Sequence, residues 1–367
     1  MSYSMFRVGA FGSLTALVLT TACGGAGGDG EGVQDDGSLV IDGQEVASAE
    51  LMEAAQDEDG LILYTGSGEA GERQLIERFQ EETGLDGDLV RVVPNQLTER
   101  IISEHQANQL GADVIRIDGW DLIDQLVDAE VFRSYSDIPS DISIPDEAVH
   151  EDGLYFTTYN RPYLFAYNHE VADEELTSWE DLIEDGISSG DIGLTQVRAA
   201  GSSANLVHFQ LDVLGEEWLS QLADTSPRIF DSASPLTDAM ARGELVAGPV
   251  PSTVGMVAIE DGAPITLVAP EEGFPVNEYI VGLSEGGDSP NTAEVFLNWT
   301  LSDSGQLAAL ELGDYPINPE LGAPDLGEGV DMPPLDDEGI YVVDPEEYQD
   351  LLEENAELWE ELFGYTG

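Results

Sequence analysis

The residues best suited to chemistry sit where loops give way to helices. In residues 60–84, GLILYTGSGEAGERQLIERFQEETG, positions 61–64 form a short apolar run and turn residues follow. Leu75, Ile76 and Phe79 then recur at helical spacing before Gly84 closes the pattern. A helix that begins just after such a loop points unpaired backbone N–H groups and the positive end of its dipole beyond the strand. That favours a small anion near Thr65, Ser67, Gly68 and Glu69. Gly201, Ser202 and Ser203 open a second helix in the same manner. The plainer reading of both is a tight turn, and the first loop is read here as a helix start, not as a nucleotide fingerprint. Arg161 is suited to a planar two-point contact with a carboxylate or phosphate, and an internal ion pair is its equal alternative. Asp118 pulls the other way, toward an amine. Trp120, Tyr159 and Tyr279 offer faces for stacking on a ring or sugar, or plain packing.

The chain that must position these residues has 367 residues, 42% of them hydrophobic, enough for two or three domains with a substantial core. Its 75 acidic residues face 11 basic ones, all arginine, for a net charge of −64. Such a surface speaks against nucleic acid or an anionic membrane as partners. It suits salty surroundings, where the screening length falls from roughly 8 Å at physiological ionic strength to roughly 3 Å at 1 M.

At the amino terminus Arg7 precedes an apolar run over residues 8–19 that is too short to span a membrane as a mature helix. Thr20, Thr21 and Ala22 lead into Cys23, the sole cysteine, so no internal disulfide can form. This pattern resembles the lipobox of bacterial lipoproteins, with Thr20 where leucine is usual. It implies removal of residues 1–22 and lipid on Cys23; secretion without the lipid is the alternative. Residues 24–36, GGAGGDGEGVQDD, have the make-up of a flexible tether.

Beyond the tether, apolar runs at 39–41, 61–64, 89–93 and 112–117 read as strands, and 48–55, 95–108 and 119–129 as helices. This alternation implies an α/β sheet with ligands beyond the carboxyl ends of its strands, which carry Thr65 to Glu69 and Asp118 to Trp120. Residues 153–168 form an extended aromatic run around Pro162 that links to a second unit. There, helices are expected at 178–183, where Ser178 and Asp181 have capping-box spacing, and at 201–214 and 236–242. Strands are expected at 192–197, 245–250 and 265–268. A strand at 278–284 returns toward the first unit, followed by helices at 293–301 and 306–310, and an acidic helix closes the chain at Pro345–Phe363.

Taken in order, YTGSGEAGERQLIERFQEETG, GADVIRID, FAYNHEVADEELTSWEDL, the GSSA helix start, ARGELVAGPVPSTVGMVAIEDGAP and NTAEVFLNWTLSDSGQLAALELGDYPINPEL resemble an extracellular solute-binding protein of a bacterial ABC importer. The likeness covers residues 49–363 and is nearest the ferric-iron-type branch, which includes binders of phosphonates, sugar phosphates, thiamine and polyamines. It implies a two-lobed periplasmic-binding-protein-like fold of type II: one lobe from 38–158 and 278–315, the other from 159–277 and 316–367, behind a tether at 23–37. The chain would cross between lobes near 157–160, 277–280 and 315–317, with hinge closure on a solute in the cleft. Partners would be the solute, a permease and an ATPase, at the outer face of the membrane, with the chain a monomer and no cofactor.

The resemblance also implies where iron would bind. The iron binders' histidine falls on Gly68 and their paired tyrosines on residues 249–252, so only Asp118 matches an acidic ligand, too few for a hard ferric ion. Arg161 falls where these proteins often hold an anion. An anionic solute is therefore expected, with iron, a polyamine or a thiamine-like cation as alternatives. An enzyme using cleft carboxylates is the reading from another class, and no catalytic order or metal-ligand spacing supports it.

Two outcomes follow from the chain's charge and its cysteine. The thermal midpoint should climb as monovalent salt rises to molar concentration, and a flat or falling midpoint contradicts the halophilic reading. Cys23→Ala should release the protein from membranes on fractionation, whereas a wild-type protein already wholly in the medium rules the anchor out.

Overall fold

Two long strands organise the molecule. Tyr155–Asn168 is buried at nearly every position, as its aromatic sequence requires of a strand covered on both faces. Phe274–Ser284 runs antiparallel to its first half. The computed structural model describes residues 32–183, 187–327, 330–343 and 345–365. The expected signal peptide, Cys23 and residues 24–31 of the tether lie outside them. Gly32 and Val33, at the end of that stretch, pair with Val40 and Leu39.

From Phe274–Ser284 the sheet continues to Val114–Ile117, then Leu61–Thr65, then Gly87–Arg91, the last three parallel to one another. The second half of Tyr155–Asn168 belongs to a different set of partners, Ala247–Pro251 and Ile265–Val268. Pro162 stands at the changeover, where a residue without an N–H interrupts no ladder that must continue. Asn160 pairs with both Glu278 and Tyr315, so the three segments expected to cross between the lobes run side by side. Gly193–Thr195 and Arg228–Phe230 form a parallel pair joined to the second set through Ile192 and Ala247.

The apolar core divides in the same way. Leu75 and Phe79 of the Glu69–Thr83 helix pack with Phe296 and Trp299 of the Pro290–Leu301 helix, the rings of Phe79 and Phe296 meeting edge to face at 5.1 Å. On the other side Trp179, fully buried, packs against Phe165 and Phe209. The closing helix Pro345–Phe363 lays Tyr348, Leu352, Ala356 and Trp359 against this second core, residues three and four positions apart on one face.

Some expectations differ from what forms. The helix read at 178–183 is one turn of 3-10 helix, Glu180–Leu182, although Ser178 and Asp181 do exchange the capping bonds. Trp179 is drawn into the core, where its indole N–H donates to the Gly273 carbonyl, and Glu272 accepts from the N–H groups of Trp179 and Glu180. The helix read at 201–214 stays α-helical only to Phe209 and widens into a π turn at Gln210–Leu214. The helix expected behind Pro235 begins earlier, as Ala233–Ala241, with the proline in its first turn. Helices Glu216–Asp224 and Ser252–Glu260 were not expected. STVGMVAIE has no polar face for a helical period to reveal, since its Gly255 side lies against Leu267.

Candidate functional site

The two halves face each other across a narrow cleft that opens to solvent. Five helices begin at its wall: Glu69–Thr83, Pro94–Gln106, Gly201–Phe209, Ala233–Ala241 and Ser252–Glu260. The residues just before them, Gly68, Val93, Ala200, Ser232 and Pro251, all line the cleft. None of the five makes a side-chain hydrogen bond to its own helix, and four lack any side-chain acceptor to do so. By contrast Ser48 and Ser302 cap helices elsewhere through their hydroxyls. First-turn N–H groups and the positive ends of several helix dipoles are thus gathered at one place.

Arginine is the only full cation that can join them, histidine aside. Among the described residues, nine arginines lie within salt-bridge distance of a carboxylate: Arg73, Arg78, Arg100, Arg116, Arg133, Arg161, Arg198, Arg228 and Arg242. Arg91 does not, and it lines the cleft. Its Nε donates to the Ser67 carbonyl at 3.2 Å, which fixes the guanidinium and leaves both NH2 groups without a partner among the described residues. Asp231 is the one carboxylate of the lining, and it is exposed.

Arg161 is occupied differently. It is buried and forms the two-point contact within the protein: Nε and Nη2 donate to Asp314 at 2.8 and 2.7 Å. Its Nη1 donates to the Ser67 hydroxyl at 2.5 Å, and its guanidinium lies over the rings of Tyr279 and Tyr159 at 4.5 and 4.9 Å. Of the two readings of Arg161, the ion pair is the one that forms.

The chain matches the model of the bacterial extracellular solute-binding proteins over residues 74–334. It belongs to that family. The solved structures that this solute-binding protein resembles include the substrate-binding protein of an ABC transporter from Agrobacterium tumefaciens, at TM-score 0.68 and 17% identity, covering 85% of this chain and 96% of that one. The periplasmic binding protein AfuA from Actinobacillus pleuropneumoniae, with exogenous fructose-6-phosphate bound, aligns at TM-score 0.63 and 18% identity over 84% and 99% of the two chains. Iron-bound HitA from Pseudomonas aeruginosa aligns at TM-score 0.63 and 19% identity over 83% and 99%. At these identities the likeness is one of fold, and it agrees with the expected two-lobed α/β architecture. No curated protein matches the chain.

Within this solute-binding protein, Ser67, Gly68, Arg161, Ser202, Ser203 and Tyr279 come together around the cleft as expected candidates, and five others lie outside its lining. Thr65 is buried below the loop, its hydroxyl accepting from the Ser67 N–H at 3.0 Å. Glu69 is exposed and pairs with Arg73. Tyr159 donates to Glu72 in the first core, and Trp120 faces the His150 ring. Asp118 is buried, and its Oδ2 accepts from the Ser202 N–H at 2.7 Å. Burial pushes its carboxyl above the ordinary range, against the bonds from Ser202. Burial likewise pushes up the phenols of Tyr163 and Tyr279, which remain neutral hydrogen-bonding groups in the lining.

Two features escaped the reading of the sequence. Gly66, Gly68 and Gly71 do carry the GxGxxG spacing after a strand and before a helix. Packing accounts for two of them, since a Cβ on Gly71 would meet Thr253 at 2.5 Å and one on Gly66 would meet Pro94 at 2.9 Å. Arg91 was legible in principle, as one of few cations and at the carboxyl end of a parallel strand. As to metal, among the described residues no group of three or more His, Cys, Asp or Glu is placed to hold one.

Proposed function

We propose that this solute-binding protein captures a small anionic solute in the cleft and delivers it to the permease and ATPase of an ABC importer. The observation that carries the reading is Arg91, the one described arginine without a carboxylate partner, set where five helices begin. A bound phosphate, phosphonate or carboxylate would take a two-point contact from the Arg91 NH2 groups and N–H bonds from the first turns of the Glu69–Thr83 and Ala233–Ala241 helices. The hydroxyls of Ser67, Thr195 and Ser203 and the rings of Tyr163 and Tyr279 would meet the remainder of the solute. Arg161 would act indirectly by holding Ser67.

Several points support the wider reading. The Agrobacterium protein is described as part of an ABC transporter, and AfuA holds a sugar phosphate. The lobes are taken as 38–158 with 278–315 and 159–277 with 316–367; most core residues cluster along that division, while at the crossing strands Tyr159 and Ile317 pack in the first core and Tyr315 packs with second-lobe residues. Anchoring through lipid on Cys23, a monomeric state and the absence of catalysis belong to the same proposal. A cationic amine is disfavoured because Asp118, its expected partner, already accepts from Ser202 and does not line the cleft. Of the forms of iron, a ferric chelate that is itself an anion suits this lining best, and the related fold of a Trichodesmium protein is described in complex with iron and citrate.

Calorimetry with phosphonates, sugar phosphates, carboxylates, polyamines and ferric citrate tests the proposal. A charge-assisted contact is worth about 1.5–3 kcal/mol, so Arg91→Gln should weaken anion binding by roughly tenfold to a hundredfold with the thermal midpoint little changed. Arg161→Gln should instead strand Asp314 and lose about 3–5 kcal/mol of stability in urea. Tight binding of an amine, or an Arg91→Gln protein with wild-type anion affinity, contradicts the proposal.

A further inference from the structure

A second recess lies apart from the cleft, between the turn at Gly119 and Trp120, the Gly201–Phe209 helix and the strand Phe274–Ser284, with Val343 along one side. None of the residues that line it also lines the cleft. Glu278 and Tyr279 are neighbours on one strand, and the alternation of side chains turns Tyr279 to the cleft and Glu278 to the recess. Its free volume of about 20 Å³ is room for one or two water-sized particles and no more.

The polar groups of the recess do not satisfy one another. Asn205 and Asn277 are 3% and 7% exposed. The Asn205 Nδ2 donates to the Val276 carbonyl at 3.2 Å and to the Asn277 Oδ1 at 2.9 Å. A carbonyl only accepts, so it fixes which way the Asn205 amide points and, through it, the Asn277 amide. The Asn205 Oδ1 and the Asn277 Nδ2 are then buried with no protein partner. Glu278, half-buried beside them, accepts a hydrogen bond from the Thr157 hydroxyl at 3.4 Å, and that hydroxyl is shared with His150 Nε2 at 2.8 Å. Among the described residues no ion pair includes Glu278. Burial pushes its carboxyl above the ordinary range, as befits a charge that no cationic side chain meets.

We infer that this recess binds a monovalent alkali cation, sodium or potassium, between Glu278 and Asn205. A hard cation takes oxygen ligands, and the Glu278 carboxylate and the Asn205 Oδ1 supply them. A single carboxylate balances a single charge. A multivalent ion asks for more, and among the described residues no group of three or more His, Cys, Asp or Glu is placed to hold one. The Asn277 Nδ2 is a donor and turns to a water carried by the ion. A water without the ion bridges the two amides but leaves the carboxylate unneutralised. The chain has no lysine to put an ammonium there. The site adds to the salt dependence of stability a part that is specific to small cations, separate from the screening of net charge, and it holds whatever solute fills the cleft.

Thermal melts of the full chain at a constant chloride concentration of about 1 M, with tetramethylammonium exchanged for sodium or potassium, test the site. Screening follows ionic strength and stays fixed through the exchange, while tetramethylammonium is too large for the recess. The wild-type midpoint should rise and saturate, by roughly 2–4 °C once the small cation is in severalfold excess over its dissociation constant. Glu278→Gln keeps the shape without the charge. It should lose that rise, and in tetramethylammonium alone it should melt no lower than wild type, because an unneutralised carboxylate has been removed. Sodium NMR relaxation of the wild-type protein in the same background is the second readout, expected to show a saturable excess that potassium displaces. Midpoints equal in all three chlorides, the same rise in wild type and Glu278→Gln, or a sodium relaxation that grows without saturating would overturn the site and leave a bound water only.

Discussion

The structure depends on a charge pair placed where its halves meet. Arg161, on the strand that crosses between the lobes, and Asp314, just before the segment that pairs with Asn160, are buried to 2% and 0% exposure. Taking two ions from water costs several kcal/mol each, and only full hydrogen bonding makes the arrangement tolerable. Here the bonding extends outward: Arg161 Nη1 reaches the Ser67 hydroxyl of the first-lobe loop, and Asp314 Oδ1 accepts from the Thr253 hydroxyl at the start of a second-lobe helix. A second buried pair, Arg116 with Glu72, lies behind it, and the Tyr159 ring stands between the two guanidinium groups while its hydroxyl donates to Glu72.

That constraint bears on how a chain of net charge −64 can attract an anion. The general field is repulsive, but screening confines it to roughly 8 Å at physiological ionic strength. What a solute meets at contact is local: helix amino termini, each equivalent to roughly half a positive charge, and Arg91. With Arg161 neutralised by Asp314, the free guanidinium has to come from elsewhere. Arg91 remains free because its strand ends at the cleft, where a backbone carbonyl and not a carboxylate receives its Nε.

Much of the fold was legible in the sequence because its signals are local. Periodicity and punctuation outlined Leu61–Thr65, Glu69–Thr83, Ile265–Val268 and Pro345–Phe363 nearly to the residue. Elements whose pattern is set by tertiary burial were shortened or missed, such as the turn at Trp179 and the apolar helix Ser252–Glu260. The site divides along the same line. The helix starts at Gly68 and Gly201 can be read from spacing, but the partners that decide which groups stay free are far apart in sequence. Asp314 lies 153 residues from Arg161, and Ser202 lies 84 from Asp118. No local pattern distinguishes Arg161 from Arg91, and only the folded chain shows which one is spoken for.

The most direct test of the account is mass spectrometry of the small molecules released when the purified protein is unfolded. An anionic solute present at near one equivalent in the wild-type preparation and depleted from Arg91→Gln is the result the account predicts. A cationic amine, bare ferric ion, or an anion retained equally by both preparations would contradict it.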